Sequence, residues 1–149
     1  MQITLAHVGA KIRSGDPLDL LTARYLERCY EFANCKAESF RSESALLDWL
    51  TRQQGRVPAL PVFLDARGRQ MTSEAFATWL GNRRDTGAQH IVFGVGPADG
   101  WSGSAREKAN LLLSLGPLTL AHSLARLVVA EQIYRACTIL TGHPYHTGH

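Results

Sequence analysis

No apolar run in this chain approaches the roughly 20 residues needed to cross a bilayer. The opening Met1-Gln2-Ile3-Thr4-Leu5 lacks a basic region followed by a long apolar stretch. No signal peptide is read there, and a cytoplasmic location is expected. Cysteine is scarce: the three residues Cys29, Cys35 and Cys137 show no C-x-x-C spacing. An odd, unpatterned set argues against a disulfide framework and favours buried free thiols. Lysine is nearly absent, since arginine supplies thirteen of the sixteen basic residues behind a net charge of +3. Arginine forks onto phosphate and stacks on bases, although a GC-rich genome produces the same bias without selection for binding. Several catalytic signatures are missing as well. Gly-Lys-Ser/Thr is not found, which excludes a Walker loop, and no G-x-G-x-x-G opens a helix after the first strand. A Gly-x-Ser-x-Gly elbow for a Ser-His-Asp hydrolase is also absent. His143, His146 and His149 are spaced by three, but Pro144 and Gly148 oppose a continuing helix and no Cys or acidic residue lies nearby in sequence. No metal site is expected.

What is present fits one compact domain over residues 1–149, with no linker, repeat or low-complexity segment. Gln2 to Val8 reads as a first strand ended at Gly9, and Asp16-Pro17 as a helix start followed by Leu18, Leu21, Tyr25, Leu26 and Cys29. A short strand from Lys36 to Phe40 precedes a helix from Ser44 to Gln54, stopped at Gly55. Leu60 to Leu64 is β-competent and Asp65-Ala66-Arg67-Gly68 reads as a turn, after which Thr72-Ser73-Glu74 opens an amphipathic helix carrying Phe76, Trp79 and Leu80. His90 to Val95 is a further strand, Ala105 to Leu111 a helix, and Leu112 to Leu115 an apolar segment entering the loop Gly116 to Thr119. The longest helical pattern runs from Ser123 to Leu140, with Gly142 as its stop. Strands alternating with helices imply an α/β fold with a mostly parallel sheet.

In such sheets ligands bind beyond the carboxyl ends of strands, which selects the loops after Leu64, Val95 and Leu115. Glycines at both ends of Gly96-Pro97-Ala98-Asp99-Gly100 allow close backbone approach to a ligand, or equally make a plain tight turn. His122 and Arg126 share a helix face, and Glu131 and Arg135 form a further pair one turn apart. From spacing these are a site or simply a surface pair and a helix-stabilising ion pair. The residues alone lead to an α/β ligand-binding domain and leave the ligand unnamed. Apolar or small residues on more than one side of the last helix (Leu124, Leu127, Val128, Ile133 and Ala136 among them) imply a covering partner subunit.

Four ordered motifs go further. They are Val95 to Gly100, Leu113 to His122, Leu127 to Ala136, and His143-Pro144-Tyr145-His146. Together with Ile3 to Gly9 and Leu64 to Gly68 they resemble, over nearly the whole chain, the RlmH family of SPOUT methyltransferases. The resemblance implies a SPOUT-type parallel sheet flanked by helices, with a C-terminal trefoil knot. It implies a homodimer that uses S-adenosylmethionine to methylate N3 of a pseudouridine in 23S rRNA of the assembled ribosome, with neither DNA nor membrane as partner. Carried over by position, the cofactor contacts are Leu64, Gly96, Leu115, Gly116, Pro117, Leu118, Thr119 and Leu120. The implied catalytic group is His122, Arg135, Tyr145 and His146. In it His146 or His122 accepts the imino proton, or His146 contacts phosphate; Tyr145 stacks on or hydrogen-bonds the flipped base, and Arg135 anchors the rRNA backbone. The tail from Pro144 is expected to lie over the cofactor pocket at the dimer interface. The chain departs from the family pattern at Pro97, where relatives carry a second glycine, and at Ala121, where they carry proline. These departures favour an alternative, a catalytically decayed ribosome-binding protein; a tRNA-directed SPOUT enzyme is a further one.

Overall fold

The computed structural model of the protein describes residues 1–53 and 57–148, so the stop expected at Gly55 and the terminal His149 lie outside the described residues. Five strands make one sheet: β1 (Gln2–Val8), β2 (Asn34–Phe40), β3 (Leu60–Gln70), β4 (His90–Val95) and β5 (Leu111–Ser114). Their order is β2-β1-β4-β3-β5, and every adjacent pair is parallel. The helices are α1 (Pro17–Glu27), α2 (Glu43–Arg52), α3 (Ser73–Asp85), α4 (Gly103–Lys108) and α5 (His122–Thr141), and a 3-10 turn spans His146–Gly148.

The two-residue repeat of the strands divides their side chains between two cores. Ile3, Leu5, Ile91 and Phe93 project to the side covered by α1, α3 and α5, where Leu26, Phe76, Leu80 and Ile133 meet them. Ala6, Val8, Phe63 and Val92 project to the other side, against Leu46 of α2 and Ala105 of α4. Full burial of side chains such as Phe93 and Ile3 contributes about 1.5–3 kcal/mol each. Thr4 is a buried polar residue among them, and its hydroxyl meets His90 Nε2 at 2.9 Å.

Local signals place most boundaries. Asp16 caps α1 by accepting from the backbone N–H groups of Leu18 and Asp19, with Pro17 in the first turn. Thr72 caps α3 through the N–H of Ala75. Gly142 ends α5 in the left-handed region, at φ 76°.

Two elements differ from the sequence expectation. β3 does not stop at Leu64: Leu64 and Arg69 both pair with Leu113, and Asp65 to Gly68 bulge out between them. The expected turn is therefore an excursion within a continuing strand, folded by the Arg67 N–H donating to Asp65 Oδ1 at 2.8 Å. Gly68 is needed here because a Cβ would lie 2.6 Å from the carbonyl oxygen of Leu112. α4 ends at Lys108 rather than Leu111, because the Asn110 N–H donates to Pro61 O at 2.8 Å and draws the chain into β5.

The strand order fixes where a ligand can enter. From β1 the chain passes to β2 on one flank, and from β4 it crosses β3 to reach β5 on the other. Connections that diverge from neighbouring strands leave a crevice beyond their carboxyl ends, and here that lies past Val8 and Val95.

Candidate functional site

A cleft of about 510 Å³ opens on the Val95 side of this crevice, walled by the β3 excursion and the loops that follow β4 and β5. Of the eight expected cofactor contacts, Leu64, Gly96, Leu115, Gly116, Leu118, Thr119 and Leu120 line it; Pro117 does not. His122 lines it too. The floor is aromatic. Trp101 stacks on Phe63 with ring centroids 4.2 Å apart, and its Nε1–H donates to Leu64 O at 2.9 Å. This indole explains Gly96: a Cβ there would sit 2.5 Å from the Trp101 ring. Gly96 has no positive φ, so the demand for glycine comes from the tryptophan beneath it and not from backbone handedness. Pro97 fits its position, since its carbonyl accepts from the Gly100 N–H at 2.9 Å in a tight turn.

The rim is tied down by side chains. Ser114 Oγ lies 3.2 Å from Ala66 O and accepts from the Gly116 N–H at 3.1 Å, linking the β3 excursion to the loop after β5. Arg106 reaches Asp65 at 2.9 Å. Glu43 holds the start of α4, accepting from Ser102 N–H at 2.7 Å and Ser102 Oγ at 2.6 Å. Above this frame Leu115, Leu118 and Leu120 are exposed, Leu118 by 80%. The cleft thus offers fixed backbone groups and uncovered apolar walls, a composition suited to an adenine ring and a short aliphatic chain.

His122 stands at the edge. Its Nε2 meets Gly96 O, and because a carbonyl only accepts, that nitrogen carries the proton and leaves Nδ1 as the basic one. Its ring lies 4.8 Å from that of His7. Burial pushes the His7 imidazole below the usual histidine range, partly opposed by its bond to Ala10 O and assisted by the nearby His122 and Arg126. Arg126 is not on the surface: it is buried and paired with Asp19 of α1.

Arg135, Tyr145 and His146 form a separate cluster. Glu131 Oε1 accepts from Arg135 Nη2 at 2.7 Å, Arg135 Nε at 3.1 Å and the Tyr145 hydroxyl at 3.0 Å. The Arg135 guanidinium lies 4.9 Å over the Tyr145 ring, which packs edge-on against Tyr134 at 4.7 Å. Burial, followed by the contact with Glu131, raises the Tyr145 phenol above its ordinary range. Arg135 Nη1 and His146 Nδ1 are 3.0 Å apart, so Nδ1 accepts; Nε2 then donates to Glu74 at 2.7 Å. The tail is a folded element, not a frayed end. Within its own chain the tail does not line the cleft, so one chain does not bring it together with His122. Thirteen residues of helix separate His122 from Arg135, about 20 Å at 1.5 Å per residue. Arg135 is also already engaged by Glu131.

Sequence reasoning missed Trp101, His7 and Asp19. The bond from Trp101 to Leu64 spans 37 positions and that from Arg126 to Asp19 spans 107, so no local spacing signals either. Among the described residues no group of three His, Cys, Asp or Glu is arranged to hold a metal.

A family model described as "Predicted SPOUT methyltransferase" matches residues 1–146. The chain is 42% identical over 149 residues, the whole of both proteins, to "Ribosomal RNA large subunit methyltransferase H" of Koribacter versatilis. It is 38% identical over 160 aligned positions to the Agrobacterium fabrum protein of that name, covering 98% of this chain and 99% of the relative. Among solved structures, a probable methylase family protein from Haemophilus influenzae superposes with a TM-score of 0.55 at 12% identity, covering 95% of this chain and 69% of that one. The SpoU methyltransferase AviRb from Streptomyces viridochromogenes, solved with the cofactor AdoMet, gives a TM-score of 0.50 at 13% identity, over 90% of this chain and 57% of that one.

Proposed function

The chain belongs to the SPOUT methyltransferase family, and from that premise we propose that it methylates large-subunit ribosomal RNA with S-adenosylmethionine, at N3 of a pseudouridine in 23S rRNA of the assembled ribosome. The observation that carries this reading is the cleft beyond the sheet, where seven positions from β3 and the loops after β4 and β5 converge on one surface. The bound cofactor would supply an activated methyl group. Leu115, Leu118 and Leu120 would enclose the apolar parts of that cofactor, while loop backbone groups bond its polar edges. The protein's remaining task is to hold the attacking nitrogen in line and exclude water. His122 Nδ1 would receive the imino proton, because His146 Nδ1 is occupied by Arg135.

The distance between the cleft and the tail supports a homodimer in which the partner's tail covers this chain's cleft, setting its tyrosine against the target base. Leu20 and Leu21 of α1, Leu124 of α5 and the loop leucines are exposed apolar groups available for that contact. A trefoil knot in the last third of the chain belongs to the same reading. Three measurements test it. Calorimetry should show stoichiometric S-adenosylmethionine binding. Mass spectrometry of rRNA should show one methyl group restored when the protein acts on ribosomes from a strain lacking the activity. A protein that binds neither cofactor nor ribosomes is not this enzyme. Light scattering should give a dimer mass at micromolar concentration; a monomer would remove the composite site.

A further inference from the structure

A second cavity, of about 370 Å³, lies beyond the carboxyl end of β1 and shares His122 with the cofactor cleft. Its lining includes Lys11 and Arg13 from the loop after β1, Arg126 and Ser123 from α5, and His7. Two polar atoms of buried side chains there, Arg126 Nε and His7 Nδ1, have no hydrogen-bond partner. Arg126 is 2% exposed and His7 7%. Buried donors and acceptors are rarely left unpaired, so these point to a missing polar ligand. The first turn of α5 faces the same space with no side-chain cap at Ala121, leaving N–H groups and the positive end of a 20-residue helix directed at it. The two carboxylates nearby are committed. Asp19 pairs with Arg126 and Asp16 caps α1, whereas Lys11 and Arg13 have no ion-pair partner among the described residues.

Resting on the RNA methyltransferase reading, we propose that this cavity is a subsite for a backbone phosphate of the RNA strand beside the target base. Unpaired cations, helix N–H groups and the buried Arg126 Nε–H select an anion, and oxygen-rich phosphate fits them. The shared wall at His122 selects a ligand that continues into the cofactor cleft. A nucleotide meets both conditions, with its phosphate here and its base turned toward the methyl group.

The test compares wild-type protein with the Lys11→Gln/Arg13→Gln double variant; both side chains are exposed, so folding is not at risk. Ribosome binding and methyl transfer are measured separately across a salt series, and S-adenosylmethionine binding by calorimetry. The double variant should bind ribosomes about tenfold more weakly. Its slope of log affinity against log salt should fall by about 0.7, the value for one phosphate contact on single-stranded RNA. Cofactor affinity should be unchanged. An Arg28→Gln/Arg52→Gln control, with the same charge loss outside the cavity, should stay within about twofold of wild type. Unchanged ribosome affinity and slope, or an equal loss in the control, overturns the subsite. Weakened cofactor binding in the double variant also overturns it, assigning the cavity to the cofactor's carboxylate instead. If wild type binds ribosomes but transfers no methyl group, the enzymatic reading fails, and the binding arm still decides the subsite.

Discussion

At its C-terminal end α5 is closed by Gly142 in the left-handed region, and the His143 N–H returns to Thr138 O at 2.9 Å. At its N-terminal end the preceding residue is Ala121, and no side chain caps the first turn. The closed end carries a tail whose polar groups are bonded to Glu131, Arg135 and Glu74 of the same chain. The open end borders two cavities and exposes leucines. Groups satisfied inside the chain hold shape, and groups left unsatisfied are available to a ligand. The proposed ligand chemistry therefore belongs at the N-terminal end, and in the proposed dimer the partner's tail would complete it.

That contrast can be broken most severely at Gly96. Gly96→Val must displace the Trp101 ring, because even a Cβ falls 2.5 Å from it. Calorimetry should show S-adenosylmethionine binding weakened by about a hundredfold or more, ~2.7 kcal/mol, with a lowered unfolding temperature. Wild-type affinity in a folded Gly96→Val protein would remove the cleft from the cofactor's path. The next largest effect lies at the other end. Deleting Pro144 to His149 should leave a folded dimer with normal cofactor affinity and at least about tenfold slower methylation of ribosomes, ~1.4 kcal/mol in the barrier. Full activity in that protein would make the tail dispensable.

Much of this was legible in the sequence, for local reasons. Asp16-Pro17 and Thr72 are capping signals that act within three residues, and both appear as read. β1 and β4 match their apolar patterns from end to end. Failures occurred where a distant partner overrides a local signal. Asp65-Ala66-Arg67-Gly68 carries real turn chemistry, yet β5 captures the chain on both sides of it. His122 and Arg126 share a helix face as their spacing implies, but only α1 and the β4 loop reveal that Arg126 is buried against Asp19 and His122 bonded to Gly96. The tail motif was legible as a motif; its bonds to Glu74 and Glu131 were not.

A smaller effect should follow pH. Burial lowers the pKa of both His7 and His90. The folded chain therefore resists protonation that the unfolded chain accepts once pH drops below about 6.5. Stability should be fully present above that pH and decline as pH falls through the lowered folded values. Urea midpoints at pH 7.5 and 5.5 should show the loss, reduced in His7→Gln; a midpoint that rises at pH 5.5 contradicts the assignment. The smallest expected change is at Ala121. A serine there would cap α5 and add about 0.5–1 kcal/mol, or roughly 2 °C in unfolding temperature. No gain by calorimetry would mean that the first turn is already satisfied.

Trp101 carries a consequence of a different kind. It is one of three tryptophans, 7% exposed, and it alone of the three lines the cleft. Stacked on Phe63 and bonded to Leu64 O, it should emit at short wavelength. An adenine ring arriving above Gly96 would lie within quenching range of that indole. The fold thus contains its own optical reporter, and cofactor arrival and release can be timed by stopped flow without attaching a dye.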